Sequence, residues 1–234
     1  MKSSKLLILI AGLLLAFLLS NVWADEETRR AVCKGKYGFT SDCVACHIPP
    51  TGEVGYPLPD GVRIYKDTAY IYVENIDFMH FRDRLLALKS FPVKKIVFDL
   101  FSYGGAVFDA MAMVALVEDQ RAMGRVIEIR ARGLIASAGL LILISGDTGC
   151  RYIEKNSLVM FHEIASFKYF AIERPSDKEE EALVYRKIQN KINSYITSRS
   201  KISLEELSDK IKKKEFWLDA NEAVKYGFAD AIMK

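Results

Sequence analysis

Hydrophobic positions from about residue 62 onward recur with two alternating periods. Ala69-Tyr70-Ile71-Tyr72-Val73 has the aromatic and β-branched make-up of a strand. From Ile76 to Phe91 the apolar residues Phe78, Phe81, Leu85 and Leu88 fall at helical spacing. Lys94 to Leu100 reads as a buried strand that ends in the turn Ser102-Tyr103-Gly104-Gly105. A long apolar helix is predicted from about Val107 to Met123, stopped by Gly124. Val126 to Ala131 is the next strand, followed by Gly133 and by a helix from near Ser137 to about Ser145. Leu158 to Phe161 is another short strand, and Lys178 to Ser198 a charged amphipathic helix. Ser203 to Lys213 is a helix in which Ser203 and Glu206 have the spacing of a capping box. Ala220 to Tyr226 forms a last helix ending at Gly227, and Ala231 to Met233 a last strand. Strands that alternate with helices predict βαβ units and an α/β fold.

The amino-terminal part follows neither period. Lys2 and Lys5 precede an uncharged apolar stretch, Leu6 to Leu19, and then Val22-Trp23-Ala24. This order is that of a secretory signal peptide over residues 1–24, cleaved after Ala24. The stretch is short for a membrane span, which needs roughly 20 residues. The chain is therefore expected to be exported, periplasmic or secreted. Residues 25–61 build little core: they hold three cysteines and a run rich in proline and glycine, Ile48 to Gly61. They read as a small cysteine-containing extension ahead of a catalytic-sized domain over 62–234.

Half of the 234 residues are hydrophobic and 27% are charged, so the chain is globular rather than disordered. The net charge is only +3, and the basic residues form no stripe with interleaved aromatics, which excludes nucleic acid as an expected partner.

Export changes what the cysteines mean. Cys33, Cys43, Cys46 and Cys150 would enter an oxidising compartment, where an even count forms disulfides, with three possible connectivities. Cys43-Val44-Ala45-Cys46-His47 is also the attachment pattern of c-type haem, with His47 as axial ligand. Zinc held by Cys33, Cys43, Cys46 and His47 is a third reading. The expectation is no cofactor and two disulfides, with haem and zinc left open.

The remaining chemistry lies at Ser137, His162 and the glycine pair. A serine hydroxyl needs a base, a group that orients the base, and donors where an oxyanion forms. Ser137 follows a glycine-containing turn and opens a helix, so the N–H of Ala138 is a natural oxyanion donor. Gly104-Gly105 ends a strand and lets the backbone approach a substrate, with the Gly105 N–H as a second donor. His162 closes a strand, where a side chain projects into a cleft.

From about Tyr65 to Met233 the sequence resembles the proteolytic subunit of the Clp protease, within the crotonase-like superfamily. The match is carried by Ser102-Tyr103-Gly104-Gly105, by the run Gly133 to Gly139, by Gly146-Asp147-Thr148-Gly149-Cys150-Arg151, by Asn156 to His162, and by Ala220 to Asp230. Tyr103 stands where the family has proline, and Glu163-Ile164 where it has Gln-Pro. The resemblance implies a repeated ββα superhelix with a protruding handle helix, here Lys178–Ser198, that builds ring oligomers. It implies Ser137 as nucleophile, His162 as general base, and Gly105 and Ala138 as the oxyanion hole. The family's third residue is an aspartate, whose place falls on Lys210 or Ile211; Asp209 is the nearby carboxylate. The implied activity is that of a serine endopeptidase acting on peptides or unfolded protein through an acyl-enzyme. Export would separate such an enzyme from ATP, so no ATPase partner is expected. Superfamily relatives at membranes use a Ser–Lys pair, for which Lys187 and Lys191 are candidates. The alternatives are a non-catalytic scaffold of the same fold and a haem-bearing redox protein built on Cys43-Cys46-His47.

Overall fold

Ile96, Val97, Phe98 and Leu100 are all fully buried, as expected of a parallel strand covered on both faces. They belong to the central strand of a computed structural model that describes residues 58–165 and 175–233. The chain divides into two units, Met1–Pro57 and Leu58–Lys234, and the described residues belong to the second. The signal-peptide segment, Cys33, Cys43, Cys46 and His47 lie outside the described residues.

Eight strands form one mixed sheet among the described residues. β1 (Val62–Tyr65) and β2 (Thr68–Val73) make an antiparallel hairpin. β2, β3 (Lys95–Ser102) and β4 (Val126–Ala136) run parallel. β4 then serves two neighbours. Its first half pairs with β5 (Arg151–Ile153), which pairs with β8 (Ala231–Ile232). Its last residues, Leu134–Ala136, pair in parallel with β6 (Leu158–Phe161), which pairs antiparallel with β7 (Phe216–Asp219). The change of partner has a local cause. Against β3 the register jumps from Leu100↔Ala131 to Ser102↔Ile135, so two steps along β3 face four along β4. Such an insertion bends a strand. Gly133 sits in the bend at φ +64°, with the Phe101 ring 3.2 Å from where a Cβ would stand.

Among the described residues six α-helices accompany the sheet: α1 (Phe78–Leu86), α2 (Val107–Ala122), α3 (Gly139–Ser145), α4 (Pro175–Ser198), α5 (Leu204–Ile211) and α6 (Ala220–Lys225). α2 buries Ala110, Met113, Val117 and Gln120, three or four residues apart, which is one helical face. Every residue of α3 is buried. Among the described residues no helix is long and apolar enough to cross a membrane.

The α/β expectation holds, with three revisions. β4 runs through Gly133 to Ala136 rather than stopping at Ala131. The helix expected over Ile76–Phe91 stops at Leu86 and tightens into a 3₁₀ turn, Ala87–Ser90. The box expected at Ser203 is half made: Ser203 accepts the Glu206 N–H, but the Glu206 side chain accepts the Tyr226 hydroxyl instead. The complete box stands at Asp219–Glu222, opening α6. β1, β5 and β7 were not expected; each is four residues or fewer, which leaves little of a period to read.

One buried ion pair closes the carboxyl-terminal part onto the sheet. Arg151, 5% exposed, meets Asp230 at 2.5 Å and donates to the Arg199 carbonyl at 2.6 Å. Asp230 also accepts the N–H groups of Gly149 and Arg151 at 2.8 and 2.9 Å. Arg199 in turn donates to the carbonyls of Ile144 and Gly146. Burial pushes the Asp230 carboxyl up, but the hydrogen bonds from Arg151 and Gly149 outweigh it and hold the group below the ordinary carboxylate range. Asp230→Ala strands a buried guanidinium and is expected to cost about 3 kcal/mol in urea unfolding at pH 7. Because the folded carboxyl is the stronger acid, its contribution is present at neutral pH and fades as pH falls through that lowered range. The variant should therefore lose less stability than wild type between pH 7 and acid; an equal loss would refute the assignment.

Candidate functional site

The bend in β4 ends one residue short of Ser137. Ser137 itself has φ +51°, left-handed backbone that costs a residue with a side chain about 1 kcal/mol. Three contacts enforce it. Its N–H donates to the Met160 carbonyl at 2.7 Å, continuing the β4–β6 ladder past Ala136↔Met160. Its own carbonyl accepts the Leu140 N–H at 3.1 Å, starting the turn into α3. Gly104 packs directly against it: a Cβ on Gly104 would lie 2.8 Å from the Ser137 Cβ and 3.1 Å from the Ala136 carbonyl oxygen. The result is a sharp strand-to-helix turn with a half-buried serine at its apex.

The glycine pair is wedged into place from both sides. Gly104 has φ +99°, and its N–H donates to the hydroxyl of Ser102, which is fully buried. Gly105, also at positive φ (+159°), bridges to Ile76, whose Cβ would be 2.8 Å from an added methyl. Ser102 also underlies Gly139, 3.2 Å from where a Cβ would stand. It thus ties the glycine turn to the start of α3. Tyr103 points out, 73% exposed, with its ring edge-on to Phe101 at 5.2 Å. Gly104 thus lies against Ser137, with Gly105 and Ala138 next to them in the chain. Ala138 is 2% exposed, and its N–H has no acceptor among the described residues. An N–H left without an acceptor in the protein is free to receive an oxyanion.

His162 follows β6 as Ser137 follows β4, so the two project from adjoining ends of paired parallel strands. Their side chains make no hydrogen bond to each other here. His162 Nδ1 instead contacts the backbone carbonyl of Glu163. A carbonyl can only accept, so this contact calls for an N–H at Nδ1 and turns Nε2 away from Glu163. Asp209 does not join this pair. It stands exposed on α5, with no bond to His162. Ile211, one of the two positions where the register puts the family's aspartate, is 1% exposed and packs in the core. Lys187 and Lys191 are exposed on α4 and reach no partner at Ser137.

Two residues that the sequence reading passed over organise the chain after His162. The Glu163 carboxylate accepts the N–H of Lys213 at 3.0 Å, and Gln189 of α4 accepts the N–H of Ile164 at 2.7 Å. Gln189 passes this on to Asn193, 2.8 Å away and 3% exposed. Adjacency to His162 was the one signal available for Glu163; nothing in spacing links it to residue 213 or to Gln189. These groups line a cavity of about 390 Å³ between α4, α5 and this segment. Cys150, a candidate for cross-linking, is a half-buried free thiol among the described residues, and burial together with the Asp147 carboxylate pushes its ionisation up. No group of three or more His, Cys, Asp or Glu placed to hold a metal occurs among the described residues.

Comparison with known proteins shows the family. The family model described as Clp protease matches residues 68–234. The ATP-dependent Clp protease proteolytic subunit 2 of Treponema pallidum (strain Nichols) is 27% identical over 152 residues, covering 64% of this chain and 73% of the relative. The protein of the same description from Bacillus licheniformis is 32% identical over 102 residues, covering 43% of this chain and 51% of the relative. Among solved structures, a mutant of ClpP1 from Listeria monocytogenes superposes with a TM-score of 0.61 at 25% identity, covering 72% of this chain and 92% of the other.

The packing at Gly104 makes a direct prediction. Gly104→Ala adds a methyl where Ser137 and the Ala136 carbonyl already stand, at a φ that disfavours any side chain. The variant is expected to fold with a loss of roughly 1–3 kcal/mol and to displace Ser137. Urea unfolding and the rate of Ser137 modification by a fluorophosphonate check both parts; unchanged values would show that the turn is not wedged.

Proposed function

The chain belongs to the Clp protease family, and on that premise we propose that it is a serine peptidase that hydrolyses peptide bonds through an acyl-enzyme on Ser137. The observation that carries this reading is the conjunction at the β4–α3 turn. A serine held at positive φ sits against a glycine wedge and beside the partnerless N–H of Ala138.

The steps follow from the groups present. Ser137 Oγ attacks the peptide carbonyl carbon while Nε2 of His162 takes the hydroxyl proton. The electron pair of the C=O bond moves to oxygen, and that oxyanion is held by the N–H groups of Gly105 and Ala138. As the C–N bond breaks, His162 returns the proton to the departing amine. Water then attacks the acyl-enzyme, losing its proton to His162. The carboxylic acid leaves, and Ser137 recovers its proton. The Ser137–His162 hydrogen bond that this needs is absent from the free protein, and the reading requires it to close when a peptide occupies the turn.

Family members form oligomers and act on peptide substrates. For this chain we assign assembly to α4, the expected handle, where the apolar Leu183 and Val184 are 56% and 47% exposed. The signal-peptide pattern over residues 1–24 supports an exported enzyme that works on peptides or unfolded protein without an ATPase. The exposed, detached Asp209 is the observation that favours the second reading, a scaffold without catalysis.

A fluorophosphonate probe separates the two. Covalent labelling of the folded protein, abolished in Ser137→Ala, is expected; a folded wild type that resists labelling would leave only the scaffold. Native mass spectrometry of protein made with its full amino terminus in an exporting host tests the rest. The subunit should begin at Asp25, the particle should exceed one subunit, and Leu183→Glu should shift it to lower mass. A monomer starting at Met1 would refute both assignments.

A further inference from the structure

The geometry points to Glu163 and Gln189 as positioning residues: they hold the backbone carbonyl that faces Nδ1 of His162 and so set the tautomer and plane of its ring. This rests on the peptidase reading above and deepens it.

A third group in such a site has two tasks. It must hold the imidazole in the tautomer that leaves Nε2 basic, and it must fix the plane of the ring. Neither task requires a charge. The carbonyl of Glu163, in contact with His162 Nδ1, meets both, because a carbonyl oxygen has no proton to give and accepts along a defined direction.

A carbonyl in a free loop would do this poorly. Here the peptide that carries it is bracketed on both sides. The Glu163 side chain accepts the Lys213 N–H at 3.0 Å, tying it to the segment that leaves α5. The next residue, Ile164, donates its N–H to Gln189 at 2.7 Å, tying it to α4. Gln189 is itself held by Asn193, one turn on and 3% exposed. Lys213 is at φ +56°, a left-handed residue that turns its N–H out of α5. The carbonyl is thus fixed by two helices that also wall the adjacent cavity. Asp209, exposed on the same α5, makes no part of this arrangement.

The chain has three histidines, so ¹⁵N-histidine labelling with a His162→Gln reference assigns the His162 signals. Long-range ¹⁵N–¹H correlation then reads the tautomer, and fluorophosphonate labelling reads the reactivity of Ser137. Wild type and Asp209→Ala are expected to show one Nδ1–H form and labelling rates within about twofold of each other. Glu163→Ala and Gln189→Ala should mix the tautomers and slow labelling by about tenfold to a hundredfold. Glu163→Gln keeps the accepting oxygen and should restore both readouts, which a general loss of folding would not do. The inference is overturned if Glu163→Ala and Gln189→Ala keep a single tautomer and the wild-type rate. It is equally overturned if Asp209→Ala disturbs His162 as much as they do. A wild type that is not labelled would refute the peptidase reading alone, since the tautomer measurement still decides the role of Glu163 and Gln189.

Discussion

Two steps along β3 face four along β4 between Leu100–Ala131 and Ser102–Ile135, and a parallel ladder absorbs that excess only by bending. The bend is what lets one strand pair first with β5 and then with β6. It also leaves Ser137 at the end of a strand already committed to β6, with too little chain before α3 for anything but a left-handed turn. The strain there is sustained because the neighbours over-determine it: the Met160 carbonyl below, Gly104 at its side and a fully buried helix behind.

Arg151 and Asp230 do for the carboxyl-terminal part what the bend does for the turn. The run Gly146–Arg151 and the run Tyr226–Asp230 lie far apart in sequence and look like separate signatures. In space they are two halves of one clamp, joined through the Arg199 carbonyl to the end of α4. Asp219 and Glu222 begin α6 so that Tyr226 and Phe228 stack in the core and Asp230 arrives under Arg151. Much of the family resemblance in this chain therefore records how the fold is tied together, and only part of it records chemistry.

What was legible in the sequence had either a period or a constrained backbone. β2, β3, α1 and α2 were read from their apolar residues, α5 from its capping pair, and the turn at Gly104–Gly105 from the one residue that tolerates positive φ. The extension of β4 to Ala136 was hidden because a glycine in a strand looks like its end. Glu163 and Gln189 were hidden for a different reason. Their partners are backbone N–H groups at positions 213 and 164, and a backbone donor leaves no residue type to recognise. Asp209 had the reverse fault: the residue type suited the role, but its place on an exposed face of α5 did not.

Ser137 and His162 hang from the same pair of ladders, β4–β6 and its continuation through the Ser137 N–H. Mechanically they are two teeth on one rack. The β4–β6 ladder and the Ser137 N–H bond to Met160 fix how far apart the two strand ends stand. The carbonyl that faces His162 is mounted elsewhere, on α4 and the exit of α5. Bending of the long α4 would therefore reach the imidazole as a torque on its ring.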